Sequence, residues 1–319
     1  MGLAGPVGAP AVEGVAVVDK PAGWTSHDVV AKARALLGTR KVGHAGTLDP
    51  DATGVLVLGV GAATRLLTYL SGLDKTYTGE VVLGVATTTL DASGEVTGTW
   101  DMAGVDRDAV RAAAAGLTGD IAQVPPMVSA KKVDGRRLHT LARQGVEVER
   151  APVRVRVDRF EVGGAVAPGV WPVIVTCSSG TYVRSLAADL GAALGGGAHL
   201  RNLRRTAVGP YRLDEAVALE ALTPHGLLPP VEALRGHPRI TVDGDVLGFV
   251  RHGRVLPRAV LGVPAAPDGG DTPGGGDPPG ASDAPDGPWA VIGPDGALVA
   301  VYVAHRGDTV KPALVLPSA

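Results

Sequence analysis

Residues 43–61 read GHAGTLDPDATGVLVLGVG, a run that divides into a loop and a strand. Pro50 restricts the residue before it to extended backbone, so Asp49 is held away from helical geometry. Gly43, Gly46 and Gly54 permit turns or close approaches that a side chain would block. Val55, Leu56, Val57 and Leu58 then form the short continuous apolar run expected of a buried strand. A loop anchored in this way presents Asp49 from the core, as a catalytic acid on a rigid support would be. The Asp-Pro-Asp-Ala-Thr-Gly stretch is also ordinary turn chemistry, with Asp51 bonding its own backbone. These residues alone leave both readings open.

Outward from this run, strands and helices are interspersed. Residues 15–18 read as a strand, followed by the turn Lys20-Pro21-Ala22-Gly23. Thr25 or Ser26 can cap a helix in which Val29, Val30, Ala33, Leu36 and Leu37 recur at helical spacing, and Gly38 ends it. Residues 62–70 and 106–117 are expected to be helical, and 76–85 a strand with Tyr77, Val81, Leu83 and Val85 on one face. Residues 153–162 and 171–177 read as paired strands before a helix over 181–194. Helices between hairpins predict an α+β fold, a mixed and largely antiparallel sheet flanked by helices. A flexible N-terminus, 1–12, is expected to precede a principal domain at 13–235. Beyond Pro229-Pro230, short apolar runs and glycine turns predict a small β-rich C-terminal domain at 238–319. Its Gly/Pro/Asp-rich insert, 263–288, has too little apolar surface to order itself and is expected to be disordered.

The chain has 319 residues, 45% of them hydrophobic, which suffices for a substantial core. No apolar run reaches the length of a membrane span, and MGLAGPVGAPAVEG lacks the basic flank of a secretory signal. The expected location is cytoplasmic. One cysteine, Cys177, excludes an intramolecular disulfide and any multi-cysteine metal site. Eight histidines without a tight pair give no sequence support for a metal centre. The formal net charge is -2, but the insert holds five of the 32 acids; without it, 30 basic residues face 27 acidic ones, a net of +3. Positive charge concentrates in AKKVDGRRLHTLARQG, from Ala130, where Lys131, Lys132, Arg136, Arg137 and Arg143 outweigh Asp134. Such a segment tracks phosphates or forms a solvated basic face.

Two further segments bear on Asp49. In CSSGTYVRSLAADLGAALGGGAHLRNLRR, from Cys177, Arg184 falls in the first turn of the expected helix. A cation there opposes the helix dipole at a cost of about 0.3–1 kcal/mol, so a carboxylate partner or a bound anion is expected. Asp49 is a candidate, and a contacting Arg would lower its pKa and keep it ionised; a nearby surface acid would serve Arg184 equally well. Tyr77 and Tyr182 lie beside these segments in a chain only 3% aromatic. Each fits an ordinary core tyrosine, and each fits a face on which a flipped nucleobase stacks.

Taken together, VDKPAGWTSHDVV, GHAGTLDPDATGVL, DKTY, PPMVSAKKVDGRRLHTLARQG, CSSGTYVR and GAHLRNLRR resemble, in order and over about residues 14–211, the bacterial tRNA pseudouridine-55 synthases of the TruB family. The resemblance implies a pseudouridine-synthase fold, with the catalytic domain at 13–235 and a small RNA-binding, PUA-like module at 238–319. It implies that Asp49 is the catalytic aspartate enabling cleavage of the uridine C1′–N1 bond, after which uracil rotates and rejoins ribose through C5. Arg184 would hold Asp49, and Tyr77 would stack on the base and assist proton transfer. Tyr182 and Leu203 would complete the pocket, His44 would fill the place vacated by the flipped nucleotide, and Lys20 would support the architecture. Lys131, Lys132, Arg136, Arg137 and Arg143 would meet the RNA backbone. The resemblance implies no cofactor and no metal, a tRNA T-arm as substrate, no membrane, no obligate protein partner and a monomer. A guide-RNA-dependent synthase and an RNA-binding or RNA-folding module without catalysis are the competing readings.

Overall fold

The computed structural model of the chain describes residues 12–128, 132–133, 136–137, 148–265 and 287–317. A mixed ten-stranded sheet carries the architecture. Its main strands are β1 (Gly14–Lys20), β2 (Val42–Ala45), β3 (Thr53–Val60), β4 (Lys75–Leu83), β5 (Gly119–Gln123), β6 (Val153–Val162), β7 (Val170–Cys177) and β8 (Ala198–Val208). Across the sheet the order is β1-β3-β8-β4-β7-β6-β5, with Val217–Ala218 outside β1 and β2 paired to β3. Among the described residues, two strand pairings of this sheet are parallel, β3 with β8 and β1 with Val217–Ala218, and the rest are antiparallel. The expected mixed, largely antiparallel α+β sheet is thus present, with helices α1 (Ser26–Leu37), α2 (Arg107–Ala115) and α3 (Val183–Ala193).

Strand β3 shows why its sequence is an unbroken apolar run. Val55 and Val57 face one core, with Leu66, Leu70, Tyr211 and Leu234. Leu56 and Leu58 face another, with Val29, Ala33 and Leu37 of α1. Alternate side chains leave a strand on opposite faces, so a strand covered on both must be apolar at every position. Helix α1 begins at a capping box: Thr25 Oγ1 accepts from the Asp28 amide at 3.1 Å and Asp28 accepts from the Thr25 amide at 2.9 Å. Thr25 being the cap, the Ser26 hydroxyl is free to bond elsewhere.

The structure corrects several boundaries. Strand β4 stops at Leu83 because Gly84, at φ +86°, turns the chain. Val85 therefore leaves the face it was expected to share with Tyr77 and pairs with Thr99 in a small hairpin. The helical segment expected at 62–70 is split into a 3-10 turn, Gly61–Leu66, and a short helix, Leu67–Ser71. The expected helix at 106–117 is α2, with Asp106 as its cap.

The C-terminal region has its own five-stranded sheet, in the order Arg239–Thr241, Trp289–Ile292, Leu298–Ala304, Thr309–Val315, Leu256–Pro257. Gly244–Arg251, within the region expected to be β-rich, is a helix. Val246, Leu247, Phe249 and Val250 have the spacing of one helix face and pack on this sheet, a period too brief to stand out in the sequence. Ala290, Val301 and Leu314 join the core that contains Val15 and Val57, so this sheet packs against the main one. Val263, at the start of the expected insert, is buried in the C-terminal core. Residues 1–11 and 266–286, which hold the expected flexible N-terminus apart from Val12 and most of the insert, lie outside the described residues.

Candidate active site

The loop between β2 and β3 is fixed from three directions. Lys20, fully buried at the end of β1, donates to the carbonyl oxygens of Pro21 (2.9 Å), Trp24 (2.5 Å) and Pro50 (2.8 Å). Ser26 Oγ accepts from the Leu48 amide at 2.9 Å. Arg205, reaching across from β8, donates through Nε to Val55 O (2.7 Å) and through Nη2 to Gly46 O (3.1 Å), with a longer bond from Nη1 to Thr47 O (3.4 Å). Gly54 lets β8 come this close: a Cβ there would lie 2.1 Å from the Arg205 carbonyl oxygen.

Asp49, so presented, meets Arg184. Nε lies 2.9 Å from Oδ2 and Nη2 donates to Oδ1 at 3.1 Å, a bidentate pair. The carboxylate partner expected for an Arg in the first turn of α3 is therefore Asp49. Arg184 is nearly buried, and it also donates to Thr89 O (2.8 Å) and Val128 O (2.9 Å). Asp91 stands 3.6 Å from its Nε. Asp91 is itself held by the hydroxyls of Thr89 and Ser93, each at 2.6 Å.

One expectation about this pair is overturned. The Asp49 pKa is raised above the ordinary 3.8, chiefly by burial; Arg184 pulls it down without reversing the shift, and Asp91 adds to the rise. Desolvation of the carboxylate outweighs the attraction of Arg184, and the negative charge of Asp91 works in the same direction as desolvation. A reaction that needs the Asp49 anion will therefore lose kcat/KM on acidification with a midpoint above 3.8. Replacing Asp91 with Asn removes a negative neighbour, so the acid limb should move to lower pH; a limb that stays in place or rises would detach Asp91 from Asp49.

Two cavities flank the pair. One of about 280 Å³ is lined by Asp49, Lys75, Tyr77, Tyr182, Leu203 and Arg205, among others; a second of about 440 Å³ adjoins Asp91, Leu200 and Asn202. Asp49, Arg184 and Leu203 border both. Tyr77 is nearly buried, and burial pushes its hydroxyl pKa up. Tyr182 precedes α3, its backbone clasped by Gln123: its amide donates to Oε1 at 2.8 Å and its carbonyl accepts from Nε2 at 3.1 Å. The structure thus brings Asp49, Tyr77, Arg184, Tyr182 and Leu203 together. Lys20 lies outside both cavities, behind the loop. His44 is half-buried on β2, edge-on to His27 at 5.4 Å, and lines neither. In the basic segment, Lys132–Val133 pairs with Arg136–Arg137, whereas Lys131 and Arg143 lie outside the described residues. Sequence reasoning passes over Lys75, Asp91 and Arg205. Lys75 and Arg205 stand inside the DKTY and GAHLRNLRR motifs, but Asp91, in a Thr-rich turn, carries no signal apart from ordinary turn chemistry.

Residues 34–183 match the N-terminal domain of the TruB family pseudouridylate synthases, and residues 184–228 match the C-terminal domain of tRNA pseudouridylate synthase B. A tRNA pseudouridine synthase B of Arthrobacter sp. strain FB24 is 49% identical over 313 residues, spanning 95% of this chain and 96% of that protein. The chain belongs to the TruB family. The tRNA pseudouridine synthase B of Streptomyces coelicolor is 46% identical over 92% of the chain and 94% of its own length. Among solved structures, a chain of a Cbf5-Nop10-Gar1 complex superposes with a TM-score of 0.66 at 26% identity, covering 92% of this chain and 79% of that one. The junction between the two matched TruB domains falls between Val183 and Arg184, at the start of α3, so residues from both line the candidate cleft.

Proposed function

We propose that this TruB-family enzyme isomerises uridine 55 in the T-arm of tRNA to pseudouridine, with Asp49 as the group that enables C1′–N1 cleavage. The observation that carries the reading is the Asp49–Arg184 pair, set on a braced loop at a cavity walled by Tyr77, Tyr182 and Leu203. A base in a folded RNA arm must leave its stack to be reached, and the cavity offers a flipped nucleotide aromatic and aliphatic walls. Arg184 keeps the carboxylate oriented, Tyr77 stacks on the base and assists proton transfer, and Tyr182 and Leu203 close the pocket. Lys20 holds the loop and His44 fills the place the nucleotide leaves. The reaction rearranges bonds within one nucleotide and uses no cofactor.

The chain works as a monomer in the cytoplasm, without guide RNA or protein partner, a reading supported by its full-length likeness to proteins named tRNA pseudouridine synthase B. No helix among the described residues is long and apolar enough to cross a membrane. Residues 13–235 form the catalytic domain, and 238–319 a small RNA-binding module. Purified protein should release tritium from C5-labelled uridine in a tRNA transcript, and the release should be lost when residue 55 is cytidine. Release only on addition of a guide RNA would overturn the stand-alone reading, and equal release from both transcripts would overturn position 55.

The basic segment supplies phosphate contacts. Lys131→Ala or Arg137→Ala should weaken tRNA binding and reduce the slope of log affinity against log salt by about 1, with the chemical step on bound RNA unchanged. Binding measured across a salt series checks this, and an unaltered slope removes the segment from the interface.

A further inference from the structure

Two lysines at the site are buried, and their ammonium groups have different surroundings. Lys20 places its three donors on three carbonyl oxygens. Lys75, 5% exposed, places one on Ser71 O at 2.7 Å and makes no other hydrogen bond and no ion pair among the described residues. It lines the 280 Å³ cavity together with Asp49, Tyr77 and Arg205. Arg205, also buried, is bonded to carbonyl oxygens and not to a carboxylate. Asp49 already has Arg184. The other charged groups near Lys75 leave it uncompensated: Asp74 is paired with Arg156 at 3.0 Å, and Cys177, opposite Lys75 across the strands, is a thiol pushed up by burial to about 12. Burial, reinforced by Arg205, lowers Lys75 to about 8, which leaves it cationic at neutral pH.

A buried ammonium without a counter-charge is costly. Placed on a nucleotide-sized cavity, it suits negative charge that arises there during the reaction. We propose that Lys75, with Arg205 behind it, stabilises the negative charge that collects on the uracil ring when the C1′–N1 bond breaks, which makes Lys75 a catalytic residue. This rests on the isomerase reading above. In that step the bonding pair leaves with the base and spreads over N1, O2 and O4. Meanwhile Asp49 either bonds to C1′ or takes a sugar proton that it later returns. The ring then gives a pair from C5 to C1′, the Asp49–C1′ bond breaking where one had formed, the C5 proton passes to solvent, and N1 takes up a proton from solvent, so composition is unchanged. The uracil anion is common to both routes. A phosphate of the flipped nucleotide would call on the same two cations, but its charge is present before and after bond breaking and would register in affinity, not in rate.

The test uses the full-length protein and a tRNA transcript, measuring Kd and single-turnover rate. Lys75→Met should slow the bound-state rate by about 100-fold or more with Kd within about threefold, and Lys75→Arg should recover most of that rate. Lys75→Ala should regain activity with added ethylammonium and not with equal sodium chloride, a charge rescue that a structural role would not produce. A wild-type rate in Lys75→Met, equal defects in the Met and Arg variants without amine rescue, or weakened Kd at unchanged rate would each overturn the proposal, the last by assigning the cations to phosphate. Wild-type protein that forms no pseudouridine would fail the functional reading instead, before any variant is compared.

Discussion

Asp49→Asn is expected to abolish detectable tritium release, a loss of at least about 10³-fold in the single-turnover rate. The amide keeps the shape of the side chain but can neither bond covalently to C1′ as a carboxylate does nor accept a sugar proton. It also leaves Arg184 with a single acid, Asp91, at 3.6 Å. Stability should respond quite differently. Asp49 ionises against the pull of burial, which raises its pKa, so the neutral amide removes an unfavourable desolvation while giving up half of an ion pair. The thermal midpoint should stay within a few degrees of wild type, as is usual where a site is built for chemistry at some expense of stability. Calorimetry beside the tritium assay separates the two effects. Residual turnover near the wild-type level would remove Asp49 from the reaction, and a collapse of the melting temperature would make it a structural residue.

Gly54→Ala should have the largest effect on the fold, a destabilisation of about 3 kcal/mol or more. Gly54 adopts φ +103°, outside the range that side chains favour, and its Cβ would stand 2.1 Å from the Arg205 carbonyl oxygen and 2.9 Å from its amide nitrogen. The clash is with backbone, which cannot swing aside as a flexible side chain would. Because β3 and β8 are joined here in parallel, with Arg205 registered on Gly54, separating them also withdraws the Arg205 guanidinium from Gly46 and Val55. Chemical denaturation should show a lowered midpoint, and tRNA turnover should fall even where the protein remains folded. A variant as stable as wild type would mean that the two strands can part without penalty.

Much of this is legible in the order of residues alone. Pro50 and the glycines mark the loop, the unbroken Val55–Leu58 run marks a buried strand, and Thr25 with Gly38 bounds α1. Arg184 is legible for an electrostatic reason, since a cation beginning a helix calls for an acid, and the acid is Asp49. What sequence hides is what depends on distance in space. Asp91 looks like any turn aspartate until Arg184 is beside it. Lys75 looks like any strand-edge lysine until its burial is known. The direction of the Asp49 pKa runs opposite to the expectation because a pairwise attraction is visible in two residue types, whereas desolvation is a property of everything around them. The helix at Gly244–Arg251 escapes notice because two turns are too short for a period to declare itself.

Strand β3 also governs how the molecule opens. Hydrogen exchange in a protein proceeds through openings of graded size, and segments packed into a single layer often open alone. β3 has no such freedom, because releasing it uncovers the core around α1 and the core shared with the C-terminal sheet at once. Its amide protons should thus be among the last to exchange, escaping only when the whole molecule unfolds. Asp49 hangs from one end of β3, so its loop should have no private route to melting.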